Sequence, residues 1–300
     1  MLLPITTPFD STGDTDLQSL RANIGLWNGT GISGYVILGS TGERVNLDER
    51  EYIAVIEASR VEVATGKGGL AFIVGAGQQS TRATIDEIKR VSSAVPVDAF
   101  LVITPHFYRT AITQEALYKY YSAVADAAPV PVLLYSMPAL TGIAIAPETV
   151  AQLSEHDNII GFKDSSGDII NLAETVRLVP NDFAVLTGNG ALLCAAMAAG
   201  AKGAILAVGC VAAKLCISIY ESAIAGDHEM AQTLQRKLTP LARAVTVRYG
   251  IGGLKVALDM IGFCGGPVRA PLEEPGADAR QEIALLLEAA GVIGDNVAGR

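Results

Sequence analysis

Histidine and cysteine are scarce in this chain, and neither is arranged for metal chemistry. His106, His156 and His228 are scattered through the 300 residues, so no ligand cluster is visible and no metal is expected. Cys194, Cys210, Cys216 and Cys264 fall in apolar surroundings without C-x-x-C spacing. That argues against a zinc site or a disulfide framework and for core thiols in a reducing, cytoplasmic compartment. Charge is sparse too, at 18% of residues, and its formal balance of -9 argues against nucleic acid or an anionic membrane surface as a partner. No uninterrupted apolar run reaches the length of a membrane span. A secretory leader is not expected, because Met1-Leu2-Leu3-Pro4-Ile5-Thr6 already reads as a strand. The chain lacks G-x-x-x-x-G-K-[ST], and with it P-loop phosphoryl transfer, and it lacks the G-x-S-x-G of a Ser-His-Asp hydrolase. Gly29-Thr30-Gly31-Ile32-Ser33-Gly34 spells a dinucleotide fingerprint but precedes a strand instead of following one, so no nucleotide is read from it.

What the chain does have is apolar bulk: 50% of residues are hydrophobic, enough for a sizeable core. Short β-rich runs such as Gly34–Leu38, Ala99–Ile103 and Val132–Tyr135 alternate with amphipathic helical patterns such as Thr81–Ala94 and Gln114–Ala127. Eight such runs are apolar on both faces, as in parallel sheets covered on each side. Spread over roughly 200–250 residues, they predict an α/β fold, a (β/α)8 TIM barrel. From about Val211 the pattern becomes helix after helix, with candidates at His228–Tyr249, Leu254–Ile261 and Ala279–Ala289. The predicted division is a barrel over 1–225 and a C-terminal helical extension over 226–300, with 291–300 expected to fray.

In such a barrel the reacting groups collect at the C-terminal ends of strands. Those positions hold Ser40 and Thr41, Tyr135, Lys163, Gly188 and Asn189, and Ile205. Lys163 closes the apolar run Ile159-Ile160-Gly161-Phe162. Burying an ammonium is costly, which favours the free amine that attacks a carbonyl to form a Schiff base. The plain alternative is a strand-end lysine paired with Asp164 at the surface. Gly39-Ser40-Thr41-Gly42-Glu43 offers hydroxyls and backbone N–H groups suited to a carboxylate, or is simply a tight βα turn. Tyr135 ends an aliphatic run, where its phenol either shuttles protons at the mouth or sits satisfied in the core.

Taken together, Gly39-Ser40-Thr41-Gly42-Glu43, Tyr135-x-x-Pro138, Gly161-Phe162-Lys163-Asp164 and Thr7-Pro8-Phe9 resemble the dihydrodipicolinate synthase/N-acetylneuraminate lyase family of class I pyruvate aldolases. The resemblance covers essentially the whole chain. It implies that Lys163 forms a covalent imine with pyruvate or another 2-oxo acid, that Tyr135 is the acid/base, and that Ser40 and Thr41 hold the carboxylate. Gly188, Asn189 and Ile205 are expected to line the substrate, with no further cofactor. The family's usual assembly implies a homotetramer, a dimer of dimers.

Two departures bear on the reaction. Where the family carries Thr-Pro-x-Tyr, with the tyrosine reaching a neighbouring subunit, this chain has Thr104-Pro105-His106-Phe107, leaving Tyr108 or a water as the relay. Where dihydrodipicolinate synthases carry an arginine two residues after the Tyr-x-x-Pro proline, this chain has Leu140, which cannot bind a carboxylate bidentately. Lys163-Asp164-Ser165-Ser166-Gly167-Asp168 and the tail through Gly265-Gly266-Pro267 are similar to 4-hydroxy-2-oxoglutarate aldolases. The resulting expectation is cleavage of 4-hydroxy-2-oxoglutarate to pyruvate and glyoxylate. The alternatives are condensation of pyruvate with aspartate semialdehyde, a 2-keto-3-deoxy sugar-acid aldolase, and a non-catalytic, pyruvate-binding regulatory barrel.

Overall fold

The computed structural model describes residues 1–293, so the part of the expected frayed end from 294 on lies outside the described residues. Eight strands run in chain order: β1 (Leu2–Pro4), β2 (Gly34–Ile37), β3 (Ala71–Ala76), β4 (Ala99–Ile103), β5 (Val132–Ser136), β6 (Ile159–Asp164), β7 (Ala184–Thr187) and β8 (Gly203–Ala204). Each pairs in parallel with the next. A Leu2–Ile205 bridge and the Leu206 N–H donating to the Leu2 carbonyl at 3.2 Å bring β8 back to β1, which makes a (β/α)8 barrel. Helices α1 (Leu17–Trp27), α2 (Glu49–Val63), α3 (Thr81–Ala94), α4 (Gln114–Ala127), α5 (Pro138–Thr141), α6 (Pro147–Ser154), α7 (Ile169–Leu178), α8 (Leu193–Ala198) and α9 (Gly209–Ile224) connect and cover the strands. Helices α10 (His228–Arg243), α11 (Gly250–Met260) and α12 (Ala277–Ala289) follow.

The helix starts follow from short polar side chains that accept the first free N–H groups. Asp16, Ser80, Thr113, Asp168 and Asp227 each cap the helix they precede. Asp48 and Glu51 form a reciprocal capping box on α2. Strand parity then divides the apolar residues, because successive side chains face opposite sides. Val36, Ile73, Leu101, Leu133, Tyr135 and Ile205 fill the barrel interior. Their neighbours Tyr35, Phe72, Phe100, Leu134, Phe162 and Val185 pack outward against the helices.

Three elements differ from the sequence pattern. The apolar run at 203–207 contributes only a two-residue strand, because the chain turns at once: Gly209 and Cys210 donate N–H bonds to Leu206 and Ala207. The long helix expected through Tyr249 stops being α-helical at Arg243 and continues as a π-helical turn, Ala244–Arg248. Tyr249 follows that turn, and α11 starts at Gly250, which takes φ 55°. The single turn α5 is too short to leave a periodic signal.

The extension is tied to the barrel by specific contacts. The Trp27 ring stacks on Phe263 with centroids 5.0 Å apart, while its Nε1 donates within the barrel to the Cys210 carbonyl of α9 at 2.9 Å. Asn23 donates to the Cys264 carbonyl at 2.7 Å and accepts the Cys264 N–H at 2.9 Å. The four cysteines are free thiols, and burial pushes Cys216 up to about 12. Among the described residues no helix is long and apolar enough to cross a membrane.

The capping box makes a direct prediction. Asp48→Ala should lower unfolding free energy by about 1 kcal/mol in denaturant melts, the usual cost of losing a cap. A change indistinguishable from zero would mean that Glu51 alone holds the start of α2.

Candidate active site

Lys163 is only 5% exposed, and it does not sit at the surface with Asp164. Adjacent residues of a strand face opposite ways, so one of the two must point into the barrel. That residue is Lys163: its Nζ lies 4.2 Å from the centroid of the Tyr135 ring, inside the barrel. The Asp164 carboxylate turns the other way and accepts the Ser166 N–H at 2.8 Å. Burial raises the pKa of that carboxyl above its ordinary value. The β5–β6 register makes Tyr135 and Lys163 direct partners, with Leu186 of β7 on the far side of the lysine.

The Tyr135 hydroxyl lies 3.3 Å from Ser40 Oγ. Ser40, Thr41 and Gly42 form one 3-10 turn after β2, so the phenol bridges from the lysine to that turn. Within the turn, the Gly42 and Glu43 N–H groups bond back to Gly39 and Ser40. Among the described residues, neither the Ser40 nor the Thr41 N–H donates to a protein group, the arrangement expected of a turn that receives an anion. Leu38 (φ 55°) and Glu43 (φ 53°) flank the turn in the left-handed region, which is costly for side chains of this size.

The remaining sequence candidates are placed differently. Gly188 packs beside the lysine, and a Cβ there would meet Lys163 Cε at 2.9 Å and overlap Ser165 Oγ, so any larger residue would have to displace one or both side chains. Asn189 Oδ1 accepts the Ala191 N–H at 3.0 Å and caps the turn after β7. Ile205 is fully buried in the interior cluster, with its N–H on the Thr187 carbonyl. Phe107 and Tyr108 stand 73% and 70% exposed in the β4–α4 connection, packed edge to face. That connection is pinned by Gln79, whose side-chain oxygen accepts the N–H groups of His106 and Phe107 at 2.9 and 2.8 Å.

A cavity of about 300 Å³ opens against Ser40 and Tyr135. Its wall is mostly apolar, including Leu38, Leu101, Ile103 and Leu140; Lys163 does not line it, but its Nζ faces the Tyr135 ring, which does. Ile251 and Leu272 of the C-terminal extension complete the wall, and sequence reasoning missed both. It also missed Arg44, which lines the cavity while pairing with buried Glu87, and Glu43, which pairs with Lys255 at 2.6 Å. These contacts join residues remote in sequence, and no local pattern announces them. Among the described residues, no three His, Cys, Asp or Glu side chains are grouped to hold a metal ion.

The geometry has counterparts among known proteins. The model of the dihydrodipicolinate synthetase family matches residues 1–290. A 4-hydroxy-tetrahydrodipicolinate synthase of an Exiguobacterium species is 33% identical over 284 residues, covering 95% of both chains. The enzyme of that name from Moorella thermoacetica is 34% identical over 293 residues, covering 98% of both. The crystal structure of a dihydrodipicolinate synthase from Bacillus anthracis superposes with a TM-score of 0.90 at 29% identity, covering 96% of each chain. A match across nearly the whole length, by sequence and by fold together, means that the chain belongs to the dihydrodipicolinate synthetase family.

Proposed function

We propose that this class I aldolase, a carbon–carbon lyase of its family, works through an imine between Lys163 and the 2-oxo carbon of pyruvate. The observation that carries the reading is the buried lysine whose Nζ stands 4.2 Å from the Tyr135 ring, with the Tyr135 hydroxyl 3.3 Å from Ser40. The Lys163 amine adds to C2, and water leaves to give a protonated imine. This cation is an electron sink. Loss of a C3 proton gives the enamine, whose C3 attacks the carbonyl carbon of an aldehyde while the aldehyde oxygen takes up a proton. In the other direction the same cation accepts the electron pair of the breaking C3–C4 bond. Tyr135 is the group within reach to carry these protons, and Ser40 and Thr41 with their N–H groups hold the carboxylate. Gly188 leaves room for the lysine, and with Asn189 and Ile205 it completes the proposed substrate contacts. The lysine supplies the electrophile, so the proposed chemistry uses no metal or organic cofactor.

The relatives' shared name supports the condensing direction, with aspartate semialdehyde as the aldehyde. That choice ranks above cleavage of 4-hydroxy-2-oxoglutarate, which the text around Lys163 suggests on sequence alone. One observation still favours the cleavage reading: Leu140, 63% exposed in the cavity wall, stands where a synthase would present an arginine. We extend the proposal to a cytoplasmic homotetramer, in which the exposed Phe107 and Tyr108 beside the mouth meet a neighbouring copy.

Three measurements test these statements. Pyruvate with borohydride should add one reduced pyruvyl unit to the intact mass, and Lys163→Ala should abolish it; an adduct that survives the substitution sinks the mechanism. Tyr135→Phe should keep the fold and lower kcat by about a hundredfold or more, the usual worth of a positioned acid/base. Leu140→Arg should lower the KM for aspartate semialdehyde by about tenfold, the yield of one new charge-assisted contact, and leave that for pyruvate unchanged. A parent enzyme that turns over 4-hydroxy-2-oxoglutarate but not the semialdehyde would move the assignment to the second reading.

A further inference from the structure

Lys163 is not the only buried lysine at the barrel mouth. Lys255, on α11, is 1% exposed, and its Nζ lies 2.6 Å from Glu43 Oε1, whose side chain is equally buried. The same ammonium donates to the Pro267 carbonyl at 2.7 Å and faces the Phe9 ring at 4.3 Å from its centroid. Arg269 covers Phe9 at 4.4 Å, and its backbone N–H donates to Glu43 Oε2 at 3.1 Å. Its guanidinium is bound in turn to Glu51 and to the Asn46 and Gly13 carbonyls. The first loop, the turn after β2 and the C-terminal extension therefore meet on one charged cluster.

A pair like this is weakly explained by stability. Desolvating two charges costs about as much as their attraction returns, and an apolar pair of similar volume often serves as well. Burial lowers the Lys255 pKa, and Glu43 opposes that shift. The placement is more telling. Glu43 ends the Ser40–Gly42 turn with its backbone at φ 53°, a conformation a glutamate holds only when its surroundings impose it. Its side chain is the handle by which Lys255 and Arg269 impose it. On the other side, the Thr7 hydroxyl donates to the Gly42 carbonyl at 2.7 Å and fixes the turn against the first loop.

We propose that the buried Lys255–Glu43 pair is a positioning device: from the C-terminal extension it holds the Ser40–Gly42 turn in the shape that receives the pyruvate carboxylate. This rests on the reading that pyruvate binds at Lys163 with its carboxylate on that turn. Lys255 does not line the cavity, and Glu43, which does, has its carboxylate engaged by Lys255 and the Arg269 N–H. Both act through the backbone of the turn, so losing the pair should weaken pyruvate binding before it affects the covalent step.

The test is borohydride trapping as a function of pyruvate concentration, in parent, Lys255→Arg and the double variant Glu43→Gln/Lys255→Met. The double variant removes both charges, leaves no lone buried ion, and keeps an acceptor for the Arg269 N–H. Its half-saturating pyruvate concentration should rise about tenfold or more, as a displaced binding group predicts, while saturating pyruvate still labels Lys163 fully. Lys255→Arg, which keeps the charge, should restore most of the affinity. Half-saturation in the folded double variant within about twofold of the parent, too little for any displaced group, overturns the proposal. So does a double variant that cannot fold, which would assign the pair to stability alone. Absence of any adduct in the parent would instead overturn the imine reading itself, so the two failures are told apart.

Discussion

The site depends on one register. Tyr135 and Lys163 are paired positions on the parallel strands β5 and β6, and both point into the barrel because side chains alternate along a strand. A slip of one residue in β6 would send Lys163 out among the helices and bring Phe162 or Asp164 inward. That slip is opposed by Phe162, buried in the outer core, and by Gly161, where a Cβ would stand 2.6 Å from the Ala184 carbonyl. The apolar packing of the outer face thus aims a polar residue on the inner one. The burial of the lysine comes from its position on the strand rather than from any unusual neighbour in the chain.

The second constraint is the turn after β2. A barrel interior is filled by side chains, so a binding site exists only where loops at the C-terminal rim leave space and present polar groups. Here the space is bounded by the barrel strands on one side and by Ile251 and Leu272 of the extension on the other. The extension is more than a cap on the fold. It carries Lys255 and Arg269 to the base of the Ser40–Gly42 turn, and the π-helical segment Ala244–Arg248 sets the start of the helix that brings Lys255 there.

Much of this was legible in the sequence. The bounds of α3 and α4 coincide with the periodic pattern, because Ser80 and Thr113 start them and the alternation with strands leaves little freedom. Lys163, Tyr135 and the Ser40–Thr41 turn could be singled out because each ends an apolar run, and a barrel places such ends at one mouth. What was not legible depends on distance or on geometry finer than periodicity. Arg269 and Glu43 meet across 226 positions, so neither residue's surroundings hint at the other. β8 shrinks to two residues because hydrogen bonds turn the chain at Leu206, which apolar composition does not encode. The local text around Lys163 resembles an oxoglutarate aldolase, while the full-length relatives carry a synthase name.

The central claim is spatial, that one pyruvate is held by a covalent bond at Lys163 and by its carboxylate on the turn at Ser40 and Thr41. A crystal structure of the protein soaked with pyruvate tests both halves together. The account predicts continuous density from Lys163 Nζ to C2 of pyruvate, with the carboxylate within hydrogen-bond distance of the Ser40 and Thr41 N–H groups and the Tyr135 hydroxyl above the reacting carbon. Pyruvate bound away from Lys163, or linked to it with its carboxylate turned from the Ser40–Gly42 turn, would contradict it.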